Sequence, residues 1–219
     1  MKEQKERFSV RQLTVIALLA ALAYACVFFR IPIGGFLTYD PKDAVIAIGG
    51  FLYGPLTALL LSVLVSFLEF LTVSDSGWIG LLMNVIASCF FVLPAAFLYR
   101  KRRTLGGAVC GLLFGVFLMT AGMLLWNYLI TPLYTGLPRA EVVGLILPLL
   151  LPFNLLKACI NAALTVVLYK SVVTALRKAR LVPPSSEKST ERPHMAYWFI
   201  GLFILVTLIL IVLVWQKVL

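Results

Sequence analysis

LLPFNLLKACINAAL, residues 150–164, is apolar enough to lie in a lipid bilayer, yet it carries Asn154, Lys157 and Asn161. The spacing of these polar residues places them on one face of a helix. A lysine at the centre of a membrane helix costs about 2.5–3.5 kcal/mol on insertion scales, so it normally faces a partner, a cavity or a ligand. The stretch therefore predicts a membrane helix with a functional polar face.

The composition of the whole chain also indicates a membrane protein. Of its 219 residues, 62% are hydrophobic and 13% are charged, and the mean hydropathy is +1.02. Soluble domains have an apolar share of about 45–50%. The chain is therefore expected to cross the membrane several times. Its four cysteines lie in apolar segments without a CxxC pair, so we expect neither a zinc site nor a disulfide framework.

Apolar runs near the roughly 20 residues that cross a bilayer predict six core helices and one appended helix. The core helices are expected at residues 13–29, 44–53, 56–73, 79–99, 105–130 and 143–176. The chain then divides into an N-terminal tail (1–12), a six-helix membrane domain (13–176), a polar linker (177–196) and an additional transmembrane helix (197–219). The predicted fold class is an all-α integral membrane protein.

The distribution of lysine and arginine predicts the orientation. Basic residues precede the first helix, form the RKRR run at 100–103, and follow the sixth helix at 177–180. Because cytoplasmic loops carry an excess of such residues, the N-terminus and the linker are expected on the cytoplasmic side. These clusters account for most of the net charge of +10 and suit anionic lipid headgroups, so no nucleic-acid partner is implied.

The first helix carries small residues at a regular spacing. Ala17, Ala21 and Ala25 are four residues apart and form a flat stripe that another helix can approach closely. The pattern alone leaves two alternatives open: a surface for a partner protein, or a packing seam inside this chain.

The first external loop combines charge, glycine and an aromatic residue. Tyr39, Asp40, Lys42 and Asp43 follow the glycine pair at 34–35. In one interpretation the aspartates cap the next helix and the charges are solvated, which suits Asp43 best. In the other, the loop is a lid that is mobile without ligand and closes over it. The Gly54-Pro55 pair that follows this helix predicts a tight turn.

Further polar residues lie inside the apolar segments. Asn84 lies in the fourth helix, Trp126 and Asn127 lie near the outer end of the fifth beside Tyr128, and Glu69 lies in the third. An isolated asparagine here usually makes an interhelical hydrogen bond. Three helices that carry asparagine, together with Lys157, instead favour one cavity in the outer half of the bundle, where the aromatic rings offer flat faces to a ligand.

These features together resemble a known family. The alanine-striped first helix, the segment YDPKDAVIAIGGFLYGPLTALL, the stretch LLMNVIAS and the stretch PFNLLK are similar to the S-components of energy-coupling factor (ECF) vitamin transporters, most of all to the riboflavin-binding members. The resemblance covers roughly residues 10–178. The linker and the seventh helix depart from the family pattern.

The resemblance implies a fold, a ligand and partners. S-components have six membrane helices, bind a vitamin from the outside, need no cofactor, and dock onto a scaffold subunit driven by two ABC ATPases. Position by position, the alanine stripe becomes the docking surface and the loop at Tyr39 and Asp40 becomes the lid. The candidate contacts to the isoalloxazine ring and the ribityl chain are then Asn84, Asn127, Asn154 and Lys157.

Three alternatives remain open at this level. The first is an S-component for a different vitamin or small metabolite. The second is a polytopic membrane enzyme, which the sequence disfavours because its one histidine, His194, lies in the linker and it has no HExxH or GxSxG motif. The third is a structural membrane protein, in which Lys157 would form a salt bridge with Glu69. The absence of a Walker A sequence means that this chain does not itself hydrolyse ATP.

Overall fold

The computed structural model describes residues 9–34, 37–73 and 77–182. Most of the predicted linker and the whole appended helix therefore lie outside the described residues. Within the described residues the chain is almost entirely helical, with one short hairpin. In chain order the elements are α1 (Val10–Val27), β1 (Ile31–Gly34), β2 (Leu37–Tyr39), α2 (Lys42–Tyr53), α3 (Pro55–Thr72), α4 (Gly77–Lys101), α5 (Leu105–Thr135), α6 (Arg139–Leu145), a π-helical turn (Ile146–Leu150) and α7 (Leu151–Lys178).

Five stretches of helix in the described part of the chain are long and apolar enough to cross a membrane. They are Val10–Val27, Pro55–Thr72, Gly77–Lys101, Leu105–Leu133 and Arg139–Lys178. The predicted spans at these places are confirmed, and each predicted boundary lies within five residues of the observed one. The chain is a multi-pass membrane protein of the all-α class.

The second helix, α2, is the centre of the bundle and has only 12 residues. Ten consecutive residues, from Lys42 to Phe51, are buried, and the helix packs against α1, α3, α4 and α7. Glycine makes this close packing feasible, since a Cβ atom at Gly50 would lie 3.0 Å from the Cβ atoms of Ala58 and Ala96. A helix buried on every side has no solvated face, so its polar residues need partners within the protein.

The turn between α2 and α3 confirms the prediction from Gly54-Pro55. Gly54 has φ of 93°, in the left-handed region that favours glycine. Pro55 occupies the first turn of α3, where its missing N–H leaves no helical hydrogen bond unmade. The two residues therefore end one helix and begin the next without an intervening loop.

The last predicted core helix is interrupted. Residues 146–150 form a π-helical turn between α6 and α7, where the sequence suggested one helix over 143–176. Pro148 lies in this turn and Pro152 begins α7, and neither can donate a backbone hydrogen bond. The two prolines explain the wider turn, which immediately precedes Asn154 and Lys157.

The segment between α1 and α2 is not an irregular loop. β1 pairs with β2 in an antiparallel hairpin, in which Ile31 faces Tyr39 and Pro32 faces Thr38. The hairpin turn, residues 35 and 36, lies outside the described residues. The hairpin delivers Tyr39 and Asp40 to the N-terminal end of α2, where both side chains are buried.

The alanine stripe of α1 faces away from the bundle. Ala17, Ala21 and Ala25 are exposed, whereas Val15 and Ala23 are among the residues that α1 packs against the core. The alternative of a packing seam inside this chain is therefore wrong for the described residues. Within the described residues nothing covers the stripe.

Candidate ligand-binding site

A chain of buried ion pairs links α7 to the hairpin, α2 and α3. Lys157 Nζ donates to Asp40 Oδ2 at 3.0 Å, and the same oxygen lies 3.6 Å from Lys42 Nζ. Lys42 Nζ also donates to Glu69 Oε2 at 2.5 Å, and Arg30 Nη2 donates to Glu69 Oε1 at 3.1 Å. Cations and carboxylates alternate along these five residues, which we call the ion-pair chain. Each carboxylate lies between two cations.

Asp40 is the carboxylate that forms an ion pair with Lys157. It follows β2 and lies outside the membrane-spanning helices. Burial alone would raise the pKa of Asp40, but the ammonium groups of Lys157 and Lys42 outweigh burial and hold this pKa at about 2. Asp40 is thus ionised at physiological pH, and Lys157 has a permanent counter-ion.

The structure contradicts the salt bridge to Glu69 that the structural alternative proposed for Lys157. The structural alternative paired Lys157 with Glu69, but Glu69 binds Lys42 and Arg30 instead. Both carboxylates suit a buried lysine chemically, so the choice between them depends on geometry. α2 places Lys42 next to Glu69, and the hairpin places Asp40 next to Lys157.

The charges at the start of α2 are not solvated, contrary to the first interpretation of this segment. Asp40, Lys42 and Asp43 are all buried, with Lys42 only 1% exposed. Asp43 does not cap α2: the N-cap position is Pro41, and it is Asp40 Oδ1 that accepts a hydrogen bond from the backbone N–H of Lys42, at 3.3 Å. Instead, Ser88 Oγ of α4 donates to Asp43 Oδ1 at 2.5 Å. These residues form part of the core.

Asn154 and Asn161 on α7 and Asn127 on α5 are all buried but differ in their hydrogen-bond partners. Asn161 Nδ2 donates to the backbone oxygen of Asp40 at 3.4 Å, so it contacts the ion-pair chain. Asn154 Nδ2 donates to Leu150 O, and Asn127 Nδ2 donates to Met123 O, each at 2.7 Å within its own helix segment. The structure thus brings Lys157 and Asn161 together with Asp40, and it holds the other two asparagines by local bonds.

Several buried polar atoms have no hydrogen-bond partner among the described residues. They include Tyr39 Oη, Asp43 Oδ2, Trp126 Nε1 and Asn161 Oδ1. Buried polar groups in folded proteins are nearly always paired, and an unpaired one costs about 1–3 kcal/mol. These four atoms lie on β2, α2, α5 and α7 respectively. Of the four residues, Asp43 and Asn161 lie beside the ion-pair chain. Such atoms are suited to bind a polar ligand.

Two other predicted ligand contacts are less well placed. Asn84 on α4 is half-buried, and no hydrogen bond joins it to the ion-pair chain in the described structure. The Tyr128 ring lies 5.4 Å from the Arg139 guanidinium in a cation–π contact, so one face of this ring is already covered. The predicted single cavity that unites all three asparagine-bearing helices therefore stays a prediction.

Sequence reasoning missed the roles of Lys42, Ser88 and Arg30. Lys42 and Asp43 flank the start of a helix in a motif, DPKD, that is typical of a solvated turn. The available signal was the apolar run that follows, which marks α2 as buried on all sides and thereby requires partners for these charges.

Comparison with known proteins places these features in a family. Residues 11–169 match the family model described as "ECF transporter, substrate-specific component". The chain is 30% identical over 168 residues to the riboflavin transporter FmnP of Bacillus subtilis (strain 168). This alignment covers 69% of this chain and 86% of the relative. It is 25% identical over 177 residues to the riboflavin transporter RibU of Staphylococcus aureus (strain TCH60). That alignment covers 77% of this chain and 93% of the relative.

A solved structure has the same fold. It is described as "Structure and mechanism of the S component of a bacterial ECF transporter" and aligns with a TM-score of 0.65 at 24% sequence identity. The alignment covers 76% of this chain and 98% of the solved chain. The bundle described above is therefore the fold of that S-component.

Proposed function

Because this chain belongs to the family of ECF transporter substrate-specific components, we propose that it binds riboflavin and delivers it to the other subunits of an ECF importer. Members of this family are transporter components and not enzymes. The riboflavin transporters FmnP and RibU, to which the chain is similar, support the choice of vitamin. Riboflavin is cargo in this proposal, and no cofactor is needed.

The observation that carries the proposal is the buried lysine beside unpaired polar atoms. Lys157 uses one of its three ammonium protons on Asp40, which leaves the others for a ligand. Riboflavin offers ring carbonyls and ring nitrogens as acceptors, and its imide N–H and ribityl hydroxyls donate. The unpaired Asn161 Oδ1 and Asp43 Oδ2 are acceptors, whereas Tyr39 Oη and Trp126 Nε1 can donate.

In the proposed complex, Lys157 donates to a ring carbonyl of the isoalloxazine. Asn127 and Asn154 contact the ring and the ribityl chain once their local hydrogen bonds open, and Asn84 contributes from α4. The half-buried Trp126 offers an aromatic face to the flavin. The apolar dimethylbenzene edge of the flavin then lies against hydrophobic side chains.

The absorbance of the purified protein tests the proposal. Protein expressed in riboflavin-containing medium and purified in mild detergent is expected to be yellow, with flavin absorption in the near ultraviolet and the blue. After the ligand is removed, added riboflavin should bind and lose its fluorescence. A colourless preparation that does not quench riboflavin fluorescence would contradict the choice of vitamin, and mass spectrometry of the extract would show whether another small molecule is bound.

The proposed orientation places the site on the outer side of the membrane. The positive-inside pattern supports a cytoplasmic N-terminus. The ion-pair chain lies at the opposite end of α1, beside the start of α2 and the end of α3. A vitamin would therefore enter from outside, as import requires.

The exposed alanine stripe of α1 is the proposed docking surface for the ECF scaffold subunit, which is driven by two ABC ATPases. Small side chains let helices approach closely in a membrane. Ala21→Trp should therefore leave riboflavin binding intact but weaken docking, because overpacking a close contact costs about 1–3 kcal/mol. Co-purification with the scaffold subunit and uptake into whole cells measure the effect.

The matched control for Ala21→Trp is Phe117→Trp, since Phe117 is a 65% exposed residue on α5, away from the stripe. This control should dock and transport normally. Normal co-purification and uptake by Ala21→Trp would instead show that the stripe contacts lipid.

The hairpin provides a further prediction. If the vitamin contacts Tyr39, the backbone amides of Leu37–Tyr39 should exchange with deuterium more slowly when riboflavin is bound. Hydrogen-exchange mass spectrometry with and without the vitamin measures this, with the cytoplasmic end of α7 as an internal reference. Equal exchange in both states would argue against a lid.

A further inference from the structure

Two lysines compete for one carboxylate oxygen in the ion-pair chain. Asp40 Oδ2 lies 3.0 Å from Lys157 Nζ and 3.6 Å from Lys42 Nζ. Lys42 is closer to Glu69, whose Oε2 it contacts at 2.5 Å. Glu69 thus draws Lys42 away from Asp40, and Asp40 is left to make its direct hydrogen bond with Lys157.

Glu69 is itself held from the other side. Arg30 Nη2 donates to Glu69 Oε1 at 3.1 Å, and Arg30 Nη1 donates to the backbone oxygen of Val73 at 3.0 Å. The Arg30 side chain is 27% exposed, whereas that of Glu69 is 7% exposed. Arg30 therefore anchors Glu69 at the end of α3. The ion-pair chain extends from the partly exposed Arg30 to the buried Lys157.

We propose that Glu69 is a positioning residue for vitamin binding: by holding Lys42, it reserves Asp40 for Lys157 and fixes the Lys157 ammonium for the ligand. The inference rests on the proposed function, because it assumes that Lys157 contacts the vitamin. Glu69 itself does not touch the ligand in this scheme. Its effect passes through Lys42 and Asp40.

The Glu69→Gln variant removes the charge that holds Lys42. Lys42 is fully buried and keeps its need for a carboxylate, so it should shift the short distance to Asp40. Lys157 then shares Asp40 with Lys42, and its ammonium group is no longer held in one position. We expect riboflavin to bind about five- to tenfold more weakly, which lies within the coupling seen between residues of one ion-pair network.

A double-mutant cycle separates positioning from general damage. Riboflavin affinity is measured by fluorescence quenching for the wild type, Glu69→Gln, Lys157→Ala and the double variant, with Glu141→Gln on the exposed surface of α6 as the charge-matched control. We expect Glu69→Gln to weaken binding in the wild type and to have no further effect when Lys157 is alanine. An equal loss in both backgrounds, or no loss in the wild type, would overturn the inference.

Arg30→Gln provides the same test at a less buried site, in case Glu69→Gln does not fold. It should weaken binding about two- to threefold, a smaller effect because Glu69 keeps Lys42, and this loss should also vanish in the Lys157→Ala background. Where Glu69→Gln does not fold, unchanged affinity of Arg30→Gln would overturn the inference. Failure of the wild type to bind riboflavin would overturn both the proposed function and this inference, whereas an additive cycle in a binding protein overturns only the inference.

Discussion

Lys157→Ala is expected to bind riboflavin about 10–100-fold more weakly than the wild type. A hydrogen bond from a charged group is worth about 1.5–3 kcal/mol, and each 1.4 kcal/mol corresponds to a factor of ten in affinity. The variant should still fold, because Asp40 keeps Lys42 as a neighbouring cation at 3.6 Å, and because removing the ammonium also removes its insertion cost.

Fluorescence titration of riboflavin, together with a melting curve of the ligand-free protein, measures both effects. Lys170→Ala is the matched control, since Lys170 lies on the same helix but is exposed. This control should bind with unchanged affinity. If Lys157→Ala binds normally but melts at a lower temperature, Lys157 has only a structural role.

Asp40→Asn should destabilise the ligand-free protein by about 3–5 kcal/mol, the usual cost of breaking a buried ion pair by removing one partner. The substitution nearly preserves the shape of the side chain but removes the carboxylate to which the Lys157 ammonium donates its hydrogen bond. Lys42 keeps a counter-ion in this variant, because Glu69 remains in contact with it. The observable is a clear fall in the melting temperature measured in detergent.

The double variant Asp40→Asn with Lys157→Met provides the control for that prediction. It removes both charges of the pair, so neither partner stays buried as an unpaired ion, and part of the lost stability should return. Riboflavin binding should remain weak, because the ammonium is absent. A melting temperature for Asp40→Asn equal to that of the wild type would mean that the Asp40–Lys157 contact does not stabilise the fold.

The membrane spans could be predicted well because hydropathy is a local property. An apolar run of sufficient length has few alternatives to a membrane helix, so the observed spans lie close to the predicted ones. The cost of a lysine in such a helix predicted a partner, a cavity or a ligand for Lys157, and the first of these is observed in Asp40. The family resemblance rested on several short stretches, and the family match over residues 11–169 confirms it.

The identity of the partners could not be predicted, because pairing depends on how the helices pack. Asp40 and Glu69 are equally suitable carboxylates in sequence, and the hairpin, which was not predicted, decides which of them reaches Lys157. The motif DPKD has the composition of a solvated turn, yet α2 is surrounded by other helices. The local bonds of Asn127 and Asn154 are likewise a matter of side-chain geometry, which helical spacing does not determine.

The long sequence separation within the ion-pair chain has a consequence for biosynthesis. Lys42 and Glu69 are 27 residues apart, so this pair can form as soon as the first three helices have entered the membrane. Asp40 and Lys157 are 117 residues apart. At a synthesis rate of about 5–20 residues per second, the ribosome needs roughly 6–25 s to make the intervening chain. During that interval Asp40 depends on Lys42 alone, and nascent chains that end before Lys157 should be preferred substrates of membrane quality-control proteases.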